Sequence, residues 1–168
     1  LRRSQARWDE LVQIYDRHLA LLSPKVVTDL VELLIEQGDV WYQKLSRVDR
    51  ATEVYNQALT LDPHSQGAMH ALGVLYERSG NWPLALDLLQ REAELSRGAA
   101  AVELWTRAGK IHEDMLQDAG SAKAAYQRAL GIDAAHLPSL RQLKGLFQIE
   151  HDDAGYLKAL IQEAKATH

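Results

Sequence analysis

The feature that most constrains this chain is an internal repeat of 71 residues. When the sequence is shifted by 71 positions, ten of the 32 residue pairs that match Val31–Asp62 with Val102–Asp133 are identical, without a gap. Unrelated sequences of ordinary composition would share about two. Such a period predicts a structure assembled from copies of one supersecondary unit, each of which buries its apolar face against its neighbours.

A half-period lies inside this repeat. Leu34, Met69, Trp105 and Leu140 occupy equivalent positions at steps of 35, 36 and 35 residues, and each step contains two helical patterns separated by a turn. No stretch alternates with period two over enough residues to predict a strand. The pattern therefore predicts an all-α fold of about nine helices, covering residues 5–22, 25–44, 48–61, 65–79, 82–96, 100–117, 120–131, 136–150 and 153–166.

Turn and cap signals separate these helices. Asn81–Pro83, Asp118–Ser121 and His151–Asp153 are typical of turns or helix caps inside the units. Ser23-Pro24 and Asp62-Pro63 each predict an N-cap followed by proline at the first helical position.

Composition excludes several classes of protein. A net charge of −4 with pI near 6.0 creates no global positive field for nucleic acid or anionic membranes. The absence of cysteine excludes disulfides, thiolate zinc sites and a cysteine nucleophile. No apolar run approaches the roughly 18 residues of a membrane span, so we expect no membrane insertion. Because the chain has no initiator Met and no signal sequence, we expect a piece of a longer protein, in the cytoplasm by default.

The sequence contains no recognisable catalytic or metal-binding constellation. The seven histidines form no H-E-x-x-H motif and no pair at i, i+4. His112, Glu113 and Asp114 are adjacent, and neighbouring helical residues point about 100° apart, so they cannot converge on one ion. Paired carboxylates lie in polar contexts that do not favour shifted pKa values. We therefore predict no enzyme activity, no metal and no cofactor.

The residues at the repeat positions resemble the tetratricopeptide repeat (TPR). The second unit matches well and the third matches with His112 at a usual aromatic position, whereas the fourth has Lys144 in place of glycine and Tyr156 in place of alanine. The 71-residue double period is similar to that of long bacterial TPR arrays. The resemblance rests on Gly38, Trp41, Ala51, Tyr55 and Ala58, on Leu72-Gly73, Tyr76, Gly80–Trp82 and Ala85, and on Trp105, Ala108-Gly109, Ala122, Tyr126 and Ala129.

The resemblance implies a right-handed α-solenoid of antiparallel helix pairs. Gly109 and the small alanines would allow helices to approach closely, and Tyr55 and Tyr126 would be buried with their hydroxyl groups reaching an edge. One extra residue is expected in the inter-helix turns at 45–49 and 116–120. The implied repeats are a truncated second helix at 1–22, then 23–63, 64–97, 98–134 and 135–168.

The resemblance also implies a concave groove lined by the first helix of each unit, where a peptide or helix of a partner protein would bind. Thr106 is also expected to face this groove. The groove would be acidic in its N-terminal part and basic in its C-terminal part. The principal candidate residues are Glu32, Ile35, Asp39, Tyr42, His70, Val74, Arg78, Glu103, Arg107, Lys110 and Arg141.

Alternatives remain open at this point. The clamp of chaperone-binding TPR domains is not preserved, because Ile35, Asp39 and Glu103 replace its Lys and Asn residues. The chain could instead be a structural spacer or self-association segment, with a homodimer formed through incomplete repeat ends. A related half-a-TPR scaffold of RNA-processing factors, or an enzyme whose catalytic domain lies elsewhere, are further possibilities. The apolar stripe of Leu157, Leu160, Ile161 and Ala164 is expected to cover one face of the last helix, either as a cap or as an internal unit.

Overall fold

A computed structural model describes residues 2–21 and 27–167. These ranges contain nine α-helices and no strand, which confirms the predicted all-α class. The Ser23-Pro24 prediction, with the end of the first and the start of the second predicted helix, lies outside the described residues. The helices are α1 (Arg2–Leu21), α2 (Val27–Asp39), α3 (Val48–Leu61), α4 (Gln66–Arg78), α5 (Trp82–Leu95), α6 (Gly98–Asp114), α7 (Ala119–Ile132), α8 (Leu137–Ile149) and α9 (Asp153–Ala166), with a π-helical turn at Val40–Lys44 after α2.

The helices form two compact units that divide between Asn81 and Trp82. In unit 1, α2 packs against α3, and α4 contacts both of them. Apolar residues at helical spacing form the interior, and burying such side chains contributes about 1.5–3 kcal/mol each. One buried cluster contains Val31, Leu34, Val54, Ala58 and Ala68, and a second, which joins α1 to the π turn, contains Val12, Val40 and Leu45.

Unit 2 repeats this arrangement with α5 to α9. Each helix packs on its neighbour in sequence, from α5 on α6 to α8 on α9. Trp105 is buried in the core between α5, α6 and α7. The largest cluster contains Leu86, Leu89, Ala93, Val102, Trp105, Ala108, Ile111, Ala125 and Ala129, and a second contains Ala122, Tyr126, Leu143 and Leu146.

The repeat glycines lie where two helices of a pair touch. A Cβ atom added to Gly38 would be 2.3 Å from Cε1 of Tyr55, and one added to Gly109 would be 2.4 Å from Cε1 of Tyr126. Both rings are almost completely buried. This confirms that a small residue is required at Gly109, because a side chain there would overlap the ring.

The extra residue of the longer units is accommodated at the end of the first helix. The amide of Leu45 donates to the carbonyl of Val40, and that of Leu116 to Ile111, so both helices widen from i→i−4 to i→i−5 bonds. Ser46 and Gln117 then follow with φ of 54°. The insertions were expected in the turns, and the wider hydrogen bonds show that the preceding helical turn absorbs part of them.

Helix caps follow most of the predicted signals. Asp118 and Asp152 each accept a hydrogen bond from the backbone amide three residues later, which caps α7 and α9. The prediction for Asp62-Pro63 is wrong. Asp62 is the C-cap of α3, its carboxylate accepts from the amide of His64, and the N-cap of α4 is Ser65. An Asx turn before the helix therefore uses the carboxylate that was expected to cap it.

The apolar stripe lies on one face of α9, as expected, and this face is exposed in unit 2. Leu157 is 56% exposed, Leu160 39% and Ile161 46%, and Ala164 is exposed as well. The helix instead packs on α8 through its other face, where Ala159 is buried and Glu163 pairs with Arg141 and Lys144. The stripe therefore presents an apolar surface of unit 2 to solvent.

Candidate protein-interaction surface

The candidate residues lie on the first helices of the helix pairs. In unit 1 these are α2 with its π turn and α4, and in unit 2 they are α6 and α8. None of the eleven candidates is buried, so each retains solvent access in its unit. Exposed candidates are Glu32, His70, Arg78, Glu103, Lys110 and Arg141, and half-buried candidates are Ile35, Asp39, Tyr42, Val74 and Arg107.

Two candidates of unit 1 meet directly. The guanidinium carbon of Arg78, at the end of α4, lies 5.5 Å from the ring centroid of Tyr42 on the π turn, within cation–π range. A cleft of about 470 Å³ lies beside this pair and is also lined by Gln43, Ser46 and Val48. Sequence reasoning missed these last three residues, because the π turn and the left-handed Ser46 bring them to the end of α4.

Two further candidates of unit 1, Ile35 and Asp39, contact neighbouring helices. Ile35 packs on the first turn of α4, since a Cβ on Gly67 would be 3.2 Å from its Cδ1. Asp39 accepts a 2.6 Å hydrogen bond from the hydroxyl of Tyr55. Burial and this bond raise the pKa of Tyr55 far above its ordinary value. Asp39 is therefore tied to α3 and helps to position the helix pair.

Unit 2 departs from the prediction at Thr106, which is buried. Its hydroxyl donates to the carbonyl of Val102 and lies 2.8 Å from the hydroxyl of Ser139 on α8. His136 Nδ1 lies 2.9 Å from the same serine oxygen. The 71-residue period aligns Thr106 and Ser139 with an apolar pair in unit 1, so the sequence pattern does not reveal the polar contact that joins α6 to α8.

Arg141 is exposed, but its guanidinium donates to Glu163 of α9 at 3.1 Å. Lys144 also donates to Glu163. The hydrogen bonds from Lys144 and Arg141 lower the pKa of Glu163, and the bond from Lys144 contributes most. The basic residues of α8 thus hold α9 in place, whereas Glu103 and Lys110 of α6 are exposed.

Other polar residues of unit 2 form contacts between neighbouring helices. Glu113 accepts a 2.8 Å bond from the hydroxyl of Tyr126, and burial followed by this bond raises the pKa of Tyr126. His112 lies 3.4 Å from the amide nitrogen of Gln90. In the described ranges, no three acidic or histidine side chains gather as metal ligands would, and no helix there has the length and apolarity to cross a bilayer.

Comparison with known proteins places these helix pairs in a family. Two tetratricopeptide-repeat family models match the chain, one at residues 1–25 and 68–101 and the other at 41–65 and 102–136, together more than half of its length. No curated protein sequence matches significantly.

Several solved structures share the fold. MamA superposes with a TM-score of 0.61 at 22% identity, over 98% of this chain and 94% of that one. The TPR-like repeats of a kinesin light chain protein from Podosopora anserina give 0.62 at 17% identity, over 99% and 90%. YrrB, a TPR protein with an unusual peptide-binding site, gives 0.57 at 19% identity, over 86% and 75%. TPR proteins bind protein partners and generally act as non-catalytic scaffolds. The chain belongs to the tetratricopeptide repeat family.

Proposed function

We propose that this chain is a non-catalytic scaffold that binds an extended peptide or helix of a partner protein on the first-helix surface of unit 1, formed by α2, the π turn and α4. The observation that carries the proposal is the contact of Tyr42 with Arg78 beside a cleft of about 470 Å³. Residues from two first helices thus contribute to one concave, chemically mixed site, as peptide recognition requires.

The composition of this surface supports a peptide ligand. Ile35 and Val74 provide half-buried apolar contacts, and Glu32 and Arg78 provide exposed charges of opposite sign. Apolar contacts supply affinity, and charges at the rim select a partner with a complementary pattern. The peptide-binding site of YrrB is a precedent within the same fold.

The proposal is tested by selecting binders from a random peptide display library and measuring their affinity by fluorescence anisotropy. Val74→Glu should weaken the selected peptides about tenfold or more, because a charge would replace an apolar contact. Glu32→Lys, at an exposed position, should change which peptides bind. The matched control Gln57→Glu adds a negative charge on α3, as Val74→Glu does on α4, and it should not change peptide affinity. Unchanged binding in both surface variants would contradict the proposal.

Self-association is a second candidate, favoured by a different observation. The solvent-facing stripe of α9 is apolar, and α1 carries a cleft lined by Leu11 and Ile14. Contact between an apolar face and a complementary one on another copy would bury both. Solution mass measured over a concentration series tests this candidate: a mass that rises in wild type and stays monomeric in Leu157→Glu supports it, and a monomer throughout refutes it.

Other aspects follow from the scaffold proposal. We propose that the chain neither catalyses a reaction nor uses a cofactor, and that it functions in the cytoplasm. The repeat boundaries at 23–63, 64–97, 98–134 and 135–168 remain part of the proposal. An RNA-processing scaffold is the alternative, and binding of single-stranded RNA at physiological salt would favour it.

A further inference from the structure

We propose that the Tyr42–Arg78 cleft of unit 1 is an anion-binding pocket, which takes a carboxylate or phosphate group of a bound peptide. The inference rests on the proposed peptide-binding function and assigns the ligand chemistry of one position on that surface.

Each polar side chain at this cleft can donate a hydrogen bond. Arg78 contributes a guanidinium, Tyr42 a phenol, Gln43 an amide and Ser46 a hydroxyl, and no acidic residue of the described chain lines the cleft. Val48 provides an apolar wall. A guanidinium beside neutral donors matches the geometry of carboxylate and phosphate oxygens, which accept from several N–H and O–H groups at once.

Two of these donors lack a polar partner within the described residues. The hydroxyl of Tyr42 is buried and makes no hydrogen bond with a described residue. The guanidinium of Arg78 lies over the face of the Tyr42 ring, and no carboxylate in the described ranges pairs with it. Because a buried hydroxyl without a partner is costly, an anion that reaches both groups gains more than it would at an exposed arginine.

Unit 2 provides an internal comparison. The 71-residue period aligns Tyr42 and Gln43 with Glu113 and Asp114, and it aligns Arg78 with Ile149. The equivalent position in unit 2 thus has two acids and an exposed isoleucine, a combination that repels anions. Since that helix pair folds without the arginine, packing of the repeat does not require Arg78, and the donor set is a specific property of unit 1.

Arginine stacking by itself does not indicate a ligand site, as Arg128 demonstrates. Its guanidinium lies 4.5 Å from the ring centroid of Trp105, closer than Arg78 lies to Tyr42, but it also pairs with Glu94 at 3.4 Å. Arg128 therefore has its own carboxylate, and it serves as a matched control.

The experiment is a titration of the ¹⁵N-labelled chain, followed by NMR, with three probes: acetyl-aspartate amide, acetyl-phosphoserine amide and the neutral acetyl-asparagine amide. We expect saturable shifts of the backbone amides of Gln43, Ser46 and Arg78 with an anionic probe and none with the neutral one. Shifts with the aspartate probe alone identify a carboxylate ligand, and shifts with the phosphoserine probe alone identify a phosphate.

Two variants of the cleft and one control variant decide whether the cleft is responsible. Arg78→Ile, which copies the residue of unit 2, should weaken the anionic probe about tenfold or more through loss of charge-assisted hydrogen bonds. Tyr42→Phe, which keeps the ring and removes the hydroxyl, should weaken it less, and Arg128→Gln should leave it unchanged. Absent shifts, equal shifts with the neutral probe, or unaltered affinity in Arg78→Ile would overturn the pocket.

Failure of the pocket can be distinguished from failure of the proposed function. Selected peptides that bind this surface without acidic or phosphorylated residues would leave the peptide-binding function standing and refute the pocket. Saturable binding of the anionic probes in a chain that selects no peptide would support the pocket and refute the peptide-binding function.

Discussion

Replacing Gly109 by alanine should destabilise the protein, although alanine is the better helix former. The added Cβ would lie 2.4 Å from Cε1 of Tyr126 and within 2.8 Å of two further ring atoms. The ring is fully buried, and its hydroxyl is bonded to Glu113, so it cannot rotate away without losing that bond. Overpacking of this kind costs about 1–3 kcal/mol, at the upper end here because the ring is held on all sides.

The gain in helix propensity offsets part of this cost. Alanine is favoured over glycine in a helix interior by about 0.5–1 kcal/mol, so the net loss in free energy of unfolding should be about 2 kcal/mol. For a chain of this size, that corresponds to a decrease of about 4–8 °C in melting temperature. Circular dichroism at 222 nm during urea and thermal unfolding measures both quantities.

A matched substitution at Gly145 separates the two effects. A Cβ at Gly145, in the interior of α8, would meet no atom within 4 Å. Gly145→Ala should therefore raise the free energy of unfolding by about 0.5–1 kcal/mol. If Gly109→Ala proved as stable as Gly145→Ala, the close approach of α6 to the Tyr126 ring would be refuted.

Two further predictions concern buried polar groups. Burial raises the pKa of Tyr55 and Tyr126 in the folded state, so their contribution to stability is complete below the unfolded pKa of about 10 and is lost as pH rises above that value. In urea unfolding between pH 8 and 11, the free energy of unfolding should fall more steeply for wild type than for the double phenylalanine variant. Equal slopes would contradict the assignment. Thr106→Val should lower the free energy of unfolding by about 1 kcal/mol through loss of its bond to Ser139. A double-mutant cycle with Ser139→Ala should show coupling between the two substitutions. Additive effects would mean that the two hydroxyl groups do not interact.

The sequence was sufficient to predict the helices because the repeat fixes their spacing. The predicted ranges 48–61 and 153–166 coincide with α3 and α9, and the other predicted ends within the described residues differ from the observed ones by a few residues. The packing of Gly109 against Tyr126 was also predictable, since a glycine and a large ring recur at the same separation in the first and third units. The N-cap predicted at Asp62-Pro63 was wrong because an aspartate before proline can form an Asx turn as readily as an N-cap.

The candidate surface was only partly predictable, because side-chain partners depend on tertiary contacts. Helical spacing placed Tyr42 and Arg78 on first helices, but not their contact or the buried hydroxyl. Arg141 has the spacing of a groove residue, and that spacing does not reveal its bond to Glu163. The apolar stripe of α9 has the spacing of a core face, and the structure exposes it, since periodicity identifies an apolar face without identifying what covers it.

The central claim is that a peptide binds on the first-helix surface of unit 1. The most direct measurement is amide chemical-shift mapping of the ¹⁵N-labelled chain with the tightest peptide from the display selection. We predict that the largest shifts fall on α2, the π turn and α4, including the amides of Tyr42 and Val74. Largest shifts on α3 or on the Leu157–Ala164 face of α9 would contradict the claim.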